Sequence, residues 1–277
     1  MRGFARFVLF SFVVVAGVDV AQAQAPSFSM FMQSIRLVDQ SVSVDVYEPT
    51  EASARGVAIL AHGFTASRAH HRYLGEALAA SGFIAVVPDL PDFIDASRNA
   101  AAIVSLAQMI ESGEAGIGVP ATTRDRLVLV GTSFGGLATM LAAAELPGLG
   151  GWVGMDPVDT TRFAARAASK LTAPAVVLLG KPSLCNLYGS GSSIARAVPG
   201  LLRLTVVEDA SHCDFEGPTN SVCRIACGHG SDAMRTLVRE EAVRAVAEML
   251  RAPELTETSL VNAGGDSSGR QAGKDIR

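Results

Sequence analysis

Short apolar runs recur along the chain at Val57 to Ala61, Ile84 to Val87, Leu127 to Val130, Trp152 to Met155, Val176 to Leu179 and Leu202 to Val207. They are rich in Val, Ile and Leu and bounded by Gly, Pro or Asp, the pattern of strands covered on both faces. Helical patterns fill the intervals around His70 to Ala80, Ala96 to Glu111, Phe134 to Glu145 and Ile194 to Val198, and Ser231 to Leu250 follows the last run. Such alternation implies an α/β fold with a mainly parallel central sheet flanked by helices. The stretch "SVSVDVYEP", Ser41 to Pro49, has period two and precedes the first buried run, which suits an antiparallel edge strand. No internal repeat is visible. With 277 residues and 49% apolar content, one domain with a sizeable core is expected.

The ends of the chain read differently. Arg2 and Arg6 precede an apolar stretch from Phe7 to Val18, and Ala21-Gln22-Ala23 supplies the small residues of a cleavage site. Residues 1–23 therefore read as a secretory signal peptide. A membrane anchor is the competing reading, but the stretch falls short of the roughly 20 residues a span needs, and Asp19 interrupts it. The mature protein is expected to be secreted or periplasmic, with the domain over 24–251 and a polar, disordered tail over 252–277. The formal net charge is only -4 and no run of Lys or Arg stands out, so no nucleic-acid partner is expected, and with the signal removed no stable membrane span is expected in the mature protein.

Export bears on the four cysteines, because an oxidising compartment makes Cys185, Cys213, Cys223 and Cys227 candidates for two disulfides. Cys223 and Cys227 lie one helical turn apart, where a mutual bridge would be strained, so Cys185 is expected to pair with one of them. The rival is a zinc site using Cys213, Cys223, Cys227 and His229, although their spacing lacks close ligand pairs.

The chemistry is concentrated in "LVLVGTSFGG", Leu127 to Gly136, where a buried strand enters Gly131-Thr132-Ser133-Phe134-Gly135 and then a helix. This turn is so tight that side chains two positions either side of the serine would collide, and it holds the hydroxyl exposed at the sheet edge. A phosphate-binding turn also follows strands and also favours glycine, but neither the Gly-Lys-Ser/Thr ending nor G-x-G-x-x-G is present here. Ser133 is the candidate nucleophile. Serine needs a base and a carboxylate that orients it. Of five histidines, His62, His70 and His71 precede the serine, and His229 sits in the polar "CGHGSD". Only His212, in "VVEDASHCDF", follows a late buried strand, and it is the candidate base.

The segment after the preceding strand, "AVVLLGKPSLCNLYGSG", contains no Asp or Glu. The nearest strand end with a carboxylate is one strand earlier, "GWVGMDPVD". Asp156 ends that apolar run and is the candidate acid, whereas Asp159, beyond Pro157, reads as a turn or helix-cap residue. An oxyanion hole needs two backbone N–H groups. Phe134, after the serine, offers one; "AHGF" at 61 to 64 offers the other through Phe64, with Thr65 as the alternative and His62 as a loop-shaping residue.

Through "AHGF", "GTSFGG", "GMDPVD" and "SHCDFEGP" the chain resembles the α/β-hydrolase superfamily from about Ser41 to Leu250. The early acid in its D-P-V-D setting resembles chlorophyllase, an acid in that position also resembles the secreted platelet-activating-factor acetylhydrolases, and the open HGF and G-x-S-x-GG layout resembles cutinase-like polyester hydrolases. The resemblance implies Ser133, His212 and Asp156 as a catalytic triad, with Phe64 and Phe134 as oxyanion donors. The polyester hydrolases place the acid one strand later, so their substrate preference does not carry over.

Only a short helix fits between Asp159 and Ala175, so no large cap domain is expected. An open cleft would draw on Phe64, Phe93, Phe134, Leu187 and Tyr188 and take a small-molecule or lipid-like ester. The expected activity is that of a serine hydrolase cleaving carboxylic esters through an acyl-enzyme, with no metal or organic cofactor. An amide or thioester hydrolase on the same triad, and a non-catalytic exported binding protein on the same scaffold, are the alternatives.

Overall fold

The computed structural model describes residues 28–251 of the chain, apart from 51, 52, 115, 161 and 220. Two long strands, β1 (Phe28–Leu37) and β2 (Gln40–Pro49), form a hairpin. The chain then alternates through β3 (Val57–Ala61), α1 (Arg72–Ala80), β4 (Ile84–Pro88), α2 (Ala96–Ser112), β5 (Leu127–Thr132), α3 (Phe134–Ala144) and β6 (Gly151–Met155). It continues with α4 (Phe163–Ala168), β7 (Ala175–Leu179), α5 (Gly191–Ala197), β8 (Leu201–Val206), α6 (Ser221–Cys227) and α7 (Asp232–Met249). The sheet order is β1-β2-β4-β3-β5-β6-β7-β8, parallel from β4 to β8 and antiparallel at β1 and β2. The expected signal peptide, 1–23, and the expected disordered tail, 252–277, lie outside the described residues.

Side chains alternate across each strand, so the same runs feed two cores. Leu129, Trp152 and Val177 pack on one face with Ile103 and Leu106 of α2 and Leu137 and Met140 of α3. Val128, Val153 and Val176 pack on the other with Leu74 and Leu78 of α1 and Val238, Ala242 and Val246 of α7. Trp152 shows how tightly the centre is built. Its indole N–H donates to Thr139 Oγ1 at 3.0 Å, and a Cβ on Gly154 would come within 2.3 Å of its ring. That close fit fixes the end of β6, where Asp156 begins its loop.

Two expectations about the sheet need correction. The alternating stretch over 41–49 is not the edge: β2 lies second, with β1 outside it. The missed strand exposes Met30 and Met32 and carries no unbroken apolar run to announce it. The last apolar run is not covered on both faces either. Strand β8 is the opposite edge, with Leu202, Leu204 and Val206 exposed. Arg203, on the intervening face, pairs with Glu241 of α7 at 2.7 Å, so the helix covers only that side.

Parallel strands place the carboxyl ends of β3, β5, β6 and β7 along one sheet edge, where α/β proteins build their sites. Between β6 and β7 the only helix among the described residues is α4, of six residues. No large cap domain is present there. No helix among the described residues is long and apolar enough to cross a membrane.

Candidate active site

Ser133 stands between β5 and α3 with φ 54° and ψ -121°, a backbone conformation that side chains rarely adopt. The glycines on either side make it feasible. A Cβ on Gly131 would lie 2.2 Å from Thr139 Oγ1 and 2.4 Å from the Gly135 carbonyl, and one on Gly135 would lie 2.3 Å from the Ala61 carbonyl. These contacts are with backbone or a buried hydroxyl and leave nothing to yield. The sharp turn aims the serine side chain out of the sheet edge while the Val158 N–H bonds to the Ser133 carbonyl at 3.1 Å.

The loop after β8 brings His212 over it. Ser133 Oγ lies 2.9 Å from His212 Nε2, and His212 Nδ1 lies 2.6 Å from Asp156 Oδ2. An ionised Asp156 is acceptor-only, so Nδ1 carries the ring proton, leaving Nε2 to accept from the serine hydroxyl. Asp156 is fully buried at the end of β6. Its Oδ1 accepts the Gly180 N–H at 3.0 Å, and the Asn186 amide donates to both oxygens at 3.1 and 3.3 Å. Asp159 lies elsewhere: its carboxylate accepts the Ala164 and Ala165 N–H groups at 3.3 and 3.1 Å, capping α4. The two carboxylates thus do separate work, one against the imidazole and one against a helix end.

The β3 loop lies against the serine. A Cβ on Gly63 would come 3.1 Å from Ser133 Cβ, so glycine lets the loop approach this closely without a tight contact. His62 is buried and bonds within this loop, accepting the Leu90 N–H on Nε2 at 3.0 Å and contacting the Gly63 carbonyl through Nδ1 at 3.0 Å. Burial holds its pKa below the ordinary imidazole value, as it does that of His71, pushed down to about 3. His71 donates from Nε2 to the Ala61 carbonyl at 3.2 Å, so its 3.9 Å approach to Glu216 is between a neutral ring and a carboxyl, not an ion pair. Both histidines shape the loop. Neither Phe64 nor Phe134 uses its backbone N–H in a hydrogen bond among the described residues.

All four cysteines are bridged, Cys185 to Cys227 and Cys213 to Cys223. The sulfurs of Cys213, Cys223 and Cys227 lie within 4.8 Å of one another, but bridged sulfur is not a thiolate, so the zinc alternative does not fit them. The bridges pull α6 against the loop that follows β7 and against His212, and this changes the cleft. A cavity of about 320 Å³ opens on Ser133 and His212, walled by Phe64, Glu216, Ala226 and the two disulfides. Of the expected lining residues only Phe64 borders it. Phe93 and Tyr188 are instead 69% and 74% exposed, and Phe134 is buried in the core. The wall the sequence reading lacked is α6, because disulfide pairing, not periodicity, brings it there. Two buried polar groups were also not singled out: Asn186, which holds Asp156, and Glu216, four residues beyond His212.

The sequence matches the family model described as PETase, PET hydrolase-like, over residues 17–186, more than half of the chain. The chain belongs to this family. It is therefore a hydrolase, acting on ester bonds. No protein of curated function matches the sequence of this PET hydrolase-like chain. Among solved structures it is similar to the dienelactone hydrolase of Anabaena variabilis, with 19% identity and a TM-score of 0.64 over 81% of this chain and 100% of that one. It is also similar to brefeldin A esterase, a bacterial homologue of human hormone-sensitive lipase, with 12% identity and a TM-score of 0.60 over 86% of this chain and 81% of that one. At such identities the similarity establishes the α/β-hydrolase fold of the PET hydrolase-like chain.

Proposed function

We propose that the protein is an exported serine esterase in which Ser133, His212 and Asp156 form the catalytic triad. The observation that carries this reading is the continuous relay of 2.9 and 2.6 Å from Ser133 Oγ through the imidazole to a buried carboxylate. His212 Nε2 takes the hydroxyl proton as Oγ bonds to the ester carbonyl carbon, and Asp156 stabilises the resulting imidazolium. The carbonyl oxygen, now negative, is held by the N–H groups of Phe64 and Phe134. His212 then gives its proton to the departing alcohol, leaving an acyl group on Ser133. Water, deprotonated by the same imidazole, attacks that acyl group and frees the serine.

The cavity suits one compact ester unit with an apolar or aromatic acyl group. At about 320 Å³ it lies at the lower end of the roughly 300–1,000 Å³ range of ligand pockets, and Phe64 and Ala226 give it an apolar lining. Export is supported by the basic and apolar start of the chain and by two disulfides, which persist in oxidising compartments. Residues 1–23 then act as the signal and 24–251 as the hydrolase domain, and intact mass of the exported protein should begin at Gln24. The function itself is tested by hydrolysis of p-nitrophenyl butyrate. Ser133→Ala should lower kcat by at least about 10³-fold with an unchanged unfolding transition. Retained turnover would remove the proposed nucleophile.

A further inference from the structure

Glu216 is a polar residue at the site with no part in the relay. It follows the His212 turn, and its side chain is only 16% exposed. Its Oε1 accepts the Gly63 N–H at 2.5 Å, across a sequence separation of 153 residues. The next residue is pinned as well, since the Gly217 N–H donates to the His70 carbonyl at 2.7 Å. Thr132, beside the nucleophile, reaches the Phe215 carbonyl at 3.4 Å. The Glu216 carboxyl, with the Gly217–His70 bond beside it, ties the segment that carries the base to the segment that carries Phe64, and among the described residues it alone reaches the Gly63 N–H.

The consequence lies in the orientation of one peptide plane. The Gly63 carbonyl is held by the Ala66 N–H at 3.2 Å and by His62 Nδ1 at 3.0 Å. A trans peptide is planar, so the Phe64 N–H points opposite to that carbonyl. The bond from the Gly63 N–H to Glu216 holds the peptide on the other side of the Gly63 Cα, so both planes that meet at this flexible residue are restrained and the Phe64 N–H keeps its direction. A Cβ on Gly63 would press on both partners, lying 3.1 Å from Ser133 Cβ and 3.2 Å from Glu216 Oε1, so a side chain at this position would disturb the contact it was meant to stiffen. Burial raises the Glu216 carboxyl to about 7, so near neutrality much of it is uncharged and still able to accept through its carbonyl oxygen. An uncharged acceptor also places less negative charge beside the developing oxyanion.

We infer that Glu216 is a positioning residue for ester hydrolysis, holding the Gly63 amide so that the Phe64 N–H is aimed at the oxyanion. This rests on the triad reading above. Its mark is a loss confined to the transition state, since the Phe64 N–H should strengthen its bond as the oxygen becomes negative. Removing one oxyanion donor outright costs about 10²- to 10³-fold in kcat, and misaiming one should cost about 10- to 100-fold.

The test uses Glu216→Ala, with Glu216→Leu as a second variant that keeps bulk without an acceptor if the alanine protein does not fold. Glu216→Gln is the conservative variant that retains the acceptor. For each, kcat and KM on p-nitrophenyl butyrate are measured beside the Ki of phenylboronic acid, whose tetrahedral serine adduct occupies the oxyanion position. The expected result is a fall in kcat of about 10- to 100-fold in the variant lacking the acceptor, with KM within about threefold. The Ki should rise in step, and Gln should restore both. Wild-type kcat and Ki in the variants lacking the acceptor, or a loss confined to KM, would overturn the inference. If Ser133→Ala remains active, the triad reading fails first; if it is inactive while Glu216→Ala and Glu216→Leu behave as wild type, the positioning role alone fails.

Discussion

Replacing Asp156 by Asn removes no bulk, yet it leaves the site with an arithmetic it cannot satisfy. Three donors converge on the two carboxylate oxygens: the Gly180 N–H on Oδ1, His212 Nδ1–H on Oδ2, and the Asn186 amide on both. The variant amide has one oxygen and one NH₂ group. With the oxygen towards Gly180, the NH₂ faces His212 Nδ1, the ring adopts the tautomer protonated on Nε2, and it can no longer accept from Ser133. With the oxygen towards His212, the NH₂ opposes the buried Gly180 N–H, leaving a donor unsatisfied at a cost of about 1–3 kcal/mol. The first arrangement is cheaper for the protein and abolishes the base, so kcat should fall by about 10⁴-fold near neutral pH, as the same exchange does in triads generally. Asp159→Asn serves as the internal control. An asparagine keeps one of the two oxygens that accept the Ala164 and Ala165 N–H groups, so stability should fall by about 1 kcal/mol while kcat changes by less than about twofold. Steady-state kinetics on p-nitrophenyl butyrate, with urea unfolding of each variant, makes the comparison. A tenth or more of wild-type kcat in Asp156→Asn, or an equal loss in Asp159→Asn, would refute the reasoning.

Two further outcomes follow from the same contacts. Glu216 has its carboxyl raised by burial from an ordinary 4.5 to about 7, so the folded protein binds a proton that the unfolded chain releases between those values. Stability owed to this group is therefore present below about pH 4.5 and is lost as pH rises through about 7, by at most about 3 kcal/mol. Glu216→Gln minus wild type should become more stabilising from pH 5 to 8 in urea titrations, and a flat difference would contradict this. The Cys185–Cys227 bridge spans 42 residues and Cys213–Cys223 spans 10, so loop-closure entropy assigns them up to about 4 and about 3 kcal/mol. Cys185→Ser with Cys227→Ser should lower the urea midpoint more than the other pair does, and the reverse order would count against the entropic ranking.

What could be read in the sequence followed from burial. The central runs are apolar because both faces are covered, and Gly131 and Gly135 flank Ser133 because the turn admits no side chain. The candidate acid emerged by elimination, since the loop after β7 holds no carboxylate. Features set by chain pairing were hidden. Strand β1 exposes too many positions to show a pattern, and the edge character of β8 depends on what lies beside it. The placement of α6 over the cavity depends on which cysteines pair. Asn186 and Glu216 were silent for a related reason: a buried amide and a buried carboxyl become meaningful only once Asp156 and Gly63 are beside them.

Peptide mapping after treatment with a fluorophosphonate probes the proposed nucleophile most directly, because only an activated serine reacts quickly. Intact mass should show one adduct per chain, mapped to Ser133, and Ser133→Ala should show none while remaining folded. An adduct at another residue, or an unlabelled wild-type protein, would contradict the assignment of Ser133, His212 and Asp156 as the machinery of hydrolysis.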